Sequence, residues 1–186
     1  IAKTLQDHRV DYLAVAVADE GVELRKAGIT SNIMIMNPEM TAFKTMFDYD
    51  LEPEVYSFRL LDALIHAARQ EGITGWPVHI KLDTGMHRLG FVEDEVEELI
   101  ERIKQNRAVR VASIFAHLSC ADDPAQDDFT RGQIALFDTL SGRIAEALPY
   151  DVIRHTANSA AIERFPEAAF DMCRLGLGLY GYGYCH

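Results

Sequence analysis

The sequence predicts an α/β fold of the (β/α)8 barrel type, incomplete by its first βα unit, and three observations carry that reading. Short apolar strands alternate with amphipathic helices along the whole chain. No Gly-x-Gly-x-x-Gly turn follows the first expected strand, where a doubly wound nucleotide fold carries it. Polar and charged residues gather where strands give way to loops, the end at which barrel enzymes keep their chemistry.

In chain order, strands are expected near Tyr12–Val17, Ile33–Met36, Glu54–Ser57, Val78–Leu82, Val111–His117, Asp151–His155 and Cys173–Tyr180. Asp19 is a plausible N-cap for a first helix, which Gly28 closes. Leu61, Leu64, Ile65 and Ala68 follow the i, i+3, i+4, i+7 stripe of a second helix, and Val96, Leu99, Ile100 and Ile103 that of a third. A longer helix from about Asp127 to Leu148 carries Leu136, Phe137, Leu140 and Ile144. Seven strands do not close an eight-stranded barrel, so the missing unit is placed upstream of Ile1. At the other end Tyr182-Gly183-Tyr184-Cys185-His186 stops without a terminating helix.

The 186 residues suit one sizeable domain, 1–186, with no linker, repeat or low-complexity segment to divide it. A formal net charge of -11 argues against nucleic acid or an anionic membrane as a partner, so an anionic ligand needs locally concentrated arginines. Cys120, Cys173 and Cys185 are an odd set without Cys-x-x-Cys spacing. They suggest neither a disulfide framework nor a zinc cage, and a reducing cytoplasm is the expected home. There is no run of about 18 apolar residues to cross a membrane.

The strand ends carry groups that a barrel would make converge. The strand led in by Trp76-Pro77 ends in Lys81-Leu82-Asp83-Thr84-Gly85-Met86-His87-Arg88-Leu89-Gly90-Phe91. Lys81 and Asp83 share a face by the two-residue period, and Gly85 and Gly90 bracket a tight turn. Arg88 offers a planar donor fork for a carboxylate or phenolate oxygen. The bland reading of Lys81 and Asp83 is a surface ion pair. His117 ends the next strand, where a histidine is commonly a satisfied barrel residue. His155-Thr156-Ala157-Asn158-Ser159-Ala160-Ala161 runs from a strand into a helix ending before Pro166; Ser159 is expected to turn its hydroxyl and free N–H groups outward as an anion site, against simple N-capping by Asn158 or Ser159. Arg174-Leu175-Gly176 sits inside the last expected strand, with Gly176 allowing close approach of a ligand to the backbone. Ser159 and Gly176 together would form a phosphate cup after the last two strands.

These three segments resemble the alanine racemase family of fold-type III pyridoxal phosphate (PLP) enzymes, in which the domain is a TIM barrel. The resemblance covers essentially the whole chain. Met36-Asn37-Pro38-Glu39 and Leu51-Glu52-Pro53-Glu54-Val55-Tyr56-Ser57 also resemble the racemase half of Bacteroidetes fusions with a Mur ligase. The resemblance implies PLP as cofactor, interconversion of L- and D-alanine for peptidoglycan synthesis, and a homodimer. It implies three catalytic residues, Arg88, Arg174 and His117, and no metal. Arg88 would hold the cofactor's phenolic oxygen and the substrate carboxylate. Lys81 matches a lysine that is often carbamylated and then steadies that arginine. Asn158, Ser159, Gly176 and Leu177 would take the phosphate. Arg174 would face the pyridine nitrogen with His117 hydrogen-bonded behind it. A guanidinium donates a hydrogen bond without giving up its proton, which makes a poorer electron sink and suits racemisation over transamination.

The chain departs from the family pattern in places. His87 stands where glycine is common, which leaves the loop less free. The family's Schiff-base lysine belongs to the first strand and its opposing tyrosine to a C-terminal β-domain; both are expected to lie outside this chain, and Tyr180, Tyr182 and Tyr184 do not replace the tyrosine. The 186 residues alone are therefore expected not to racemise alanine. Two rival readings are a PLP-carrier barrel without catalysis and a metal-dependent barrel hydrolase using a carbamylated Lys81 with His117, His155 and Asp171. Against the second, Arg88 and Arg174 would repel a cation.

Overall fold

The computed structural model describes residues 1–183; Tyr184, Cys185 and His186 lie outside the described residues. Among the described residues there are six strands: β1 (Tyr12–Val15), β2 (Asn32–Ile35), β3 (Leu51–Val55), β4 (Trp76–Lys81), β5 (Val109–Phe115) and β6 (Ile153–His155). Their order in the sheet is their order in the chain. Helices α1 (Ala2–Asp7), α2 (Ala18–Lys26), α3 (Phe43–Asp48), α4 (Phe58–Gln70), α5 (Val96–Lys104), α6 (Asp127–Ala147) and α7 (Ser159–Arg164) alternate with them. No described helix is long and apolar enough to cross a membrane. The chain forms two compact units, residues 1–79 with 106–110 and residues 80–105 with 111–186.

In the first unit β1, β2 and β3 pair in parallel, with Ile33 opposite both Leu13 and Leu51. Helix α2 begins earlier than Asp19 suggested. Val17 occupies the N-cap position, and Glu20 Oε2 reaches back to accept from the N–H groups of Ala16 at 2.7 Å and Val17 at 3.3 Å. Asp19 sits inside the first turn, where its charge complements the helix dipole. Gly28 follows the helix at φ +84°, in the role expected of it. On α4 the stripe Leu61, Leu64, Ile65 and Ala68 is buried, and the Ser57 hydroxyl caps the helix by accepting from Leu60 N–H at 3.3 Å.

Strand β3 starts at Leu51 rather than Glu54, and all five of its residues are buried despite two carboxylates. Glu52 is partnered: its Oε2 lies 2.9 Å from His79 Nε2 and 3.5 Å from the Tyr12 hydroxyl. Burial and the Glu52 charge push the Tyr12 phenol up to about 12.

The second unit pairs β5 with β6 in parallel, setting Phe115 opposite His155. Val96, Leu99, Ile100 and Ile103 are buried on α5, as their spacing requires. On α6 Phe137, Leu140 and Ile144 face inward with Ile134, whereas Leu136 is only half-buried. A cluster of Leu118, Ala121, Ile134, Ala157, Ala160, Ala161, Phe165 and Ala168 seats α7 against this face.

The expected strand Cys173–Tyr180 does not form. Asp171 N–H donates to Arg154 carbonyl at 2.9 Å and Arg174 N–H to Ala157 carbonyl at 2.9 Å, so the segment starts out alongside β6. Beyond Arg174 the N–H groups of Gly176 and Gly178 turn to the Ser159 hydroxyl, and Leu177–Tyr180 coils into a 3-10 helix. The Leu-Gly-Leu-Gly-Leu alternation imitates a strand in sequence, yet Leu175, Leu177 and Leu179 all remain exposed.

Candidate active site

All the candidate residues at the strand ends lie in the second unit. The Lys81–Phe91 loop is closed at its base by two ladder-like bonds, Asp83 N–H to Phe91 carbonyl and Phe91 N–H to Lys81 carbonyl, each 2.9 Å. Gly85 and Gly90 take φ +127° and +132°, and His87, the residue in the glycine-like position, takes φ +54°. The loop thus holds a left-handed residue there without glycine. Asp83 organises it: Oδ1 accepts from the N–H groups of Gly85 and His87, both at 3.0 Å, and Oδ2 lies 3.3 Å from His87 Nδ1. Burial pushes the Asp83 carboxyl up, but these two N–H donors and the His87 ring outweigh it and hold it below the usual carboxylate range. Asp83 is a loop brace, and the surface ion pair with Lys81 is not what it forms. Lys81 is buried, with Nζ 5.5 Å from the centroid of the Phe115 ring, and Arg88 stands exposed on the loop.

Arg174 is the hub of the site. Nη2 donates to Ala116 carbonyl at 2.7 Å and Thr156 carbonyl at 3.3 Å, and lies 3.4 Å from His117 Nδ1. Nη1 lies 2.9 Å from His155 Nδ1 and 3.3 Å from His155 carbonyl. Its guanidinium carbon stands 5.2 Å from the Phe115 centroid, and the His155 ring stacks on Phe115 at 5.1 Å and 6°. Lys81 and Arg174 therefore both rest on Phe115, whose ring stabilises cations electrostatically.

His117 is half-buried within this cationic surround. Burial, then the charges of Arg174, Lys81 and Arg88, lower its imidazole to about 4. It is a neutral ring near pH 7 and can accept a hydrogen bond there.

The Ser159 hydroxyl does not face outward. It is buried at the start of α7 and accepts from Gly176 N–H at 2.9 Å and Gly178 N–H at 3.1 Å. Asn158 is the N-cap: Oδ1 accepts from Ala161 N–H at 3.0 Å and Nδ2 donates to Leu118 carbonyl at 3.2 Å. Leu177 is exposed between the two glycines. The structure brings Ser159 and Gly176 together as the sequence predicts, adds Gly178, and draws Arg174 and His117 into contact.

Ser113, the partner of His155, was missed by sequence reasoning. His155 Nε2 lies 2.9 Å from Ser113 Oγ, and both side chains are fully buried. The signal was the two-residue period, which sets Ser113 and Phe115 on one face of β5. Among the described residues no group of three or more His, Cys, Asp or Glu could hold a metal ion. Asp171 instead accepts from Arg154 N–H at 2.8 Å.

A family model described as alanine racemase, N-terminal domain, matches residues 1–183. Alanine racemase 1 of Clostridium acetobutylicum is 37% identical over 98% of this chain and 47% of its own length. The alanine racemase of Sorangium cellulosum is 34% identical, over 100% of this chain and 50% of its own. Among solved structures, alanine racemase of Clostridium difficile 630 matches with a TM-score of 0.89 at 34% identity, covering 97% of this chain and 47% of that one. Alanine racemase from Corynebacterium glutamicum matches with a TM-score of 0.87 at 27% identity, covering 98% and 51%. The strand–helix alternation is thus that of an incomplete (β/α) barrel, and the chain spans about half the length of the relatives it matches.

Proposed function

The chain belongs to the alanine racemase N-terminal domain family, and on that premise we propose that it is the barrel part of a PLP-dependent racemase that interconverts L- and D-alanine. The supply of D-alanine for peptidoglycan, a cytoplasmic location and a homodimer of the full-length protein belong to the same proposal. The observation that carries it is the convergence of Lys81, Arg88 and Arg174 on a neutral His117 in a chain of net charge -11. Such a concentration of cations suits an anionic cofactor and a carboxylate substrate.

The residues fit the cofactor. The N–H groups of Gly176 and Gly178 converge within 3.1 Å on the Ser159 hydroxyl, and a phosphate oxygen can share that cup. Ser159, Gly176 and Leu177, with Asn158 holding Ser159 at the helix start, would take the phosphate. When bound, PLP supplies the electron sink for negative charge at the amino acid Cα. Arg174 would donate to the ring nitrogen, backed by His117, and keep its own proton. Arg88 would orient the phenolic oxygen and the substrate carboxylate. Lys81, as a carbamate, would turn repulsion from Arg88 into attraction. The groups that move the Cα proton lie outside this chain in the proposal.

Two results are expected. Full-length protein reconstituted with PLP will show the visible absorbance of the bound cofactor and racemise alanine, while residues 1–186 purified alone will not turn over; racemisation by the isolated piece, or no PLP uptake by the whole, would sink the reading. Ser159→Ala will weaken PLP binding on the order of tenfold, the loss of about one charge-assisted hydrogen bond. Equilibrium dialysis measures this, and unchanged affinity would remove Ser159 from the cup.

A further inference from the structure

Arginine is a donor at every nitrogen. Its Nη1 stands 2.9 Å from His155 Nδ1, so that ring nitrogen must present a lone pair. The proton of a neutral His155 then resides on Nε2, which faces Ser113 Oγ at 2.9 Å. The order of donation runs from Arg174 to His155 and from His155 to Ser113. Every member but Arg174 is fully buried, and the ring is pinned flat against Phe115. Were the Ser113 hydroxyl absent, the Nε2 proton would face a space with one acceptor fewer. The alternative tautomer would carry its proton on Nδ1 and point it at a guanidinium N–H, a clash of two donors that pushes Arg174 away.

We propose that Ser113 is a positioning residue which, by accepting from His155 Nε2, fixes the tautomer that aims the Arg174 guanidinium. The device is a buried hydroxyl on β5, two bonds removed from the strand-end chemistry. Ser113 touches neither cofactor nor substrate in this assignment. The tautomer stands on the geometry alone, whereas the effect on turnover rests on the reading of Arg174 as donor to the PLP ring.

The test uses full-length protein labelled with 15N-histidine, the His155 ring signals being assigned by their loss in His155→Gln. The parent is expected to carry its proton on Nε2 with Nδ1 bare. Ser113→Ala is expected to populate the Nδ1–H form and to lower kcat roughly tenfold to a hundredfold with KM changed little, the scale seen when a supporting partner is removed from a preorganised site. Ser113→Thr, which keeps the hydroxyl, should restore both. If Ser113→Ala does not fold, Ser113→Cys, a weak acceptor of similar size, takes its place. A parent His155 protonated on Nδ1, or a tautomer and kcat indifferent to removal of the hydroxyl, overturns the proposal. A parent that takes up no PLP defeats the reading of the site instead, and the ring signals still decide the tautomer.

Discussion

Gly90→Ala is expected to destabilise the second unit by roughly 3–5 kcal/mol, combining a backbone conformation reserved for glycine with overpacking against immovable atoms. An added Cβ would stand 2.5 Å from Asp83 N and 2.6 Å from Leu82 C, both backbone, at φ +132°. The neighbours cannot yield, because Asp83 N–H and Phe91 N–H carry the two bonds that close the loop. Gly28→Ala is the control: its φ is +84° but nothing lies within 4 Å, so only the left-handed conformation costs, about 1–2 kcal/mol. Urea unfolding of the full-length variants gives both numbers. Equal midpoints for the two would mean that the base of the Lys81–Phe91 loop rearranges cheaply.

Arg174→Ala is expected to act twice. Loss of the donors to Ala116, His155 and Thr156 carbonyls leaves buried acceptors and should cost about 2–4 kcal/mol, with a fall in turnover of at least about a hundredfold, the scale of a lost transition-state donor. The His117 imidazole should also rise part of the way from about 4 towards its ordinary 6.5, since burial, Lys81 and Arg88 still act on it. The sign follows from proton binding. Unfolded His117 takes up a proton near 6.5 and folded His117 only near 4, so acidification through that window favours the unfolded state. Stability contributed by this group is complete above 6.5 and is lost towards 4; in Arg174→Ala the window narrows from below. Histidine titration by NMR measures the shift, and an unmoved His117 would deny the electrostatic coupling.

The strands and helices that pack by a single period were legible in the sequence. The stripes on α4 and α5 and the strand ends at Lys81 and His155 needed only hydrophobic spacing, whereas β5 runs Val109–Phe115 and stops short of the expected end at His117. The Leu175–Leu179 alternation deceived because period two is necessary for a strand but does not supply ladder partners, and here the glycine N–H groups are spent on Ser159. Asp19 misled for a related reason: a carboxylate three residues past the cap, Glu20, did the capping from inside the helix. Ser113 was passed over because the two-residue period puts it on the Phe115 face of β5 without naming a partner, and only the β5–β6 register, with Phe115 opposite His155, brings His155 to that face.

Arg174 is held by the carbonyls of Ala116, His155 and Thr156 and lies against the imidazoles of His117 and His155. With the Asp83 carboxyl held below the usual carboxylate range and His117 neutral down to about 4, these three groups keep one protonation state around neutral pH. Both limbs of a bell-shaped pH–rate curve must then be written by other groups. The barrel's contribution to catalysis would be a constant, and a pH profile would be blind to it.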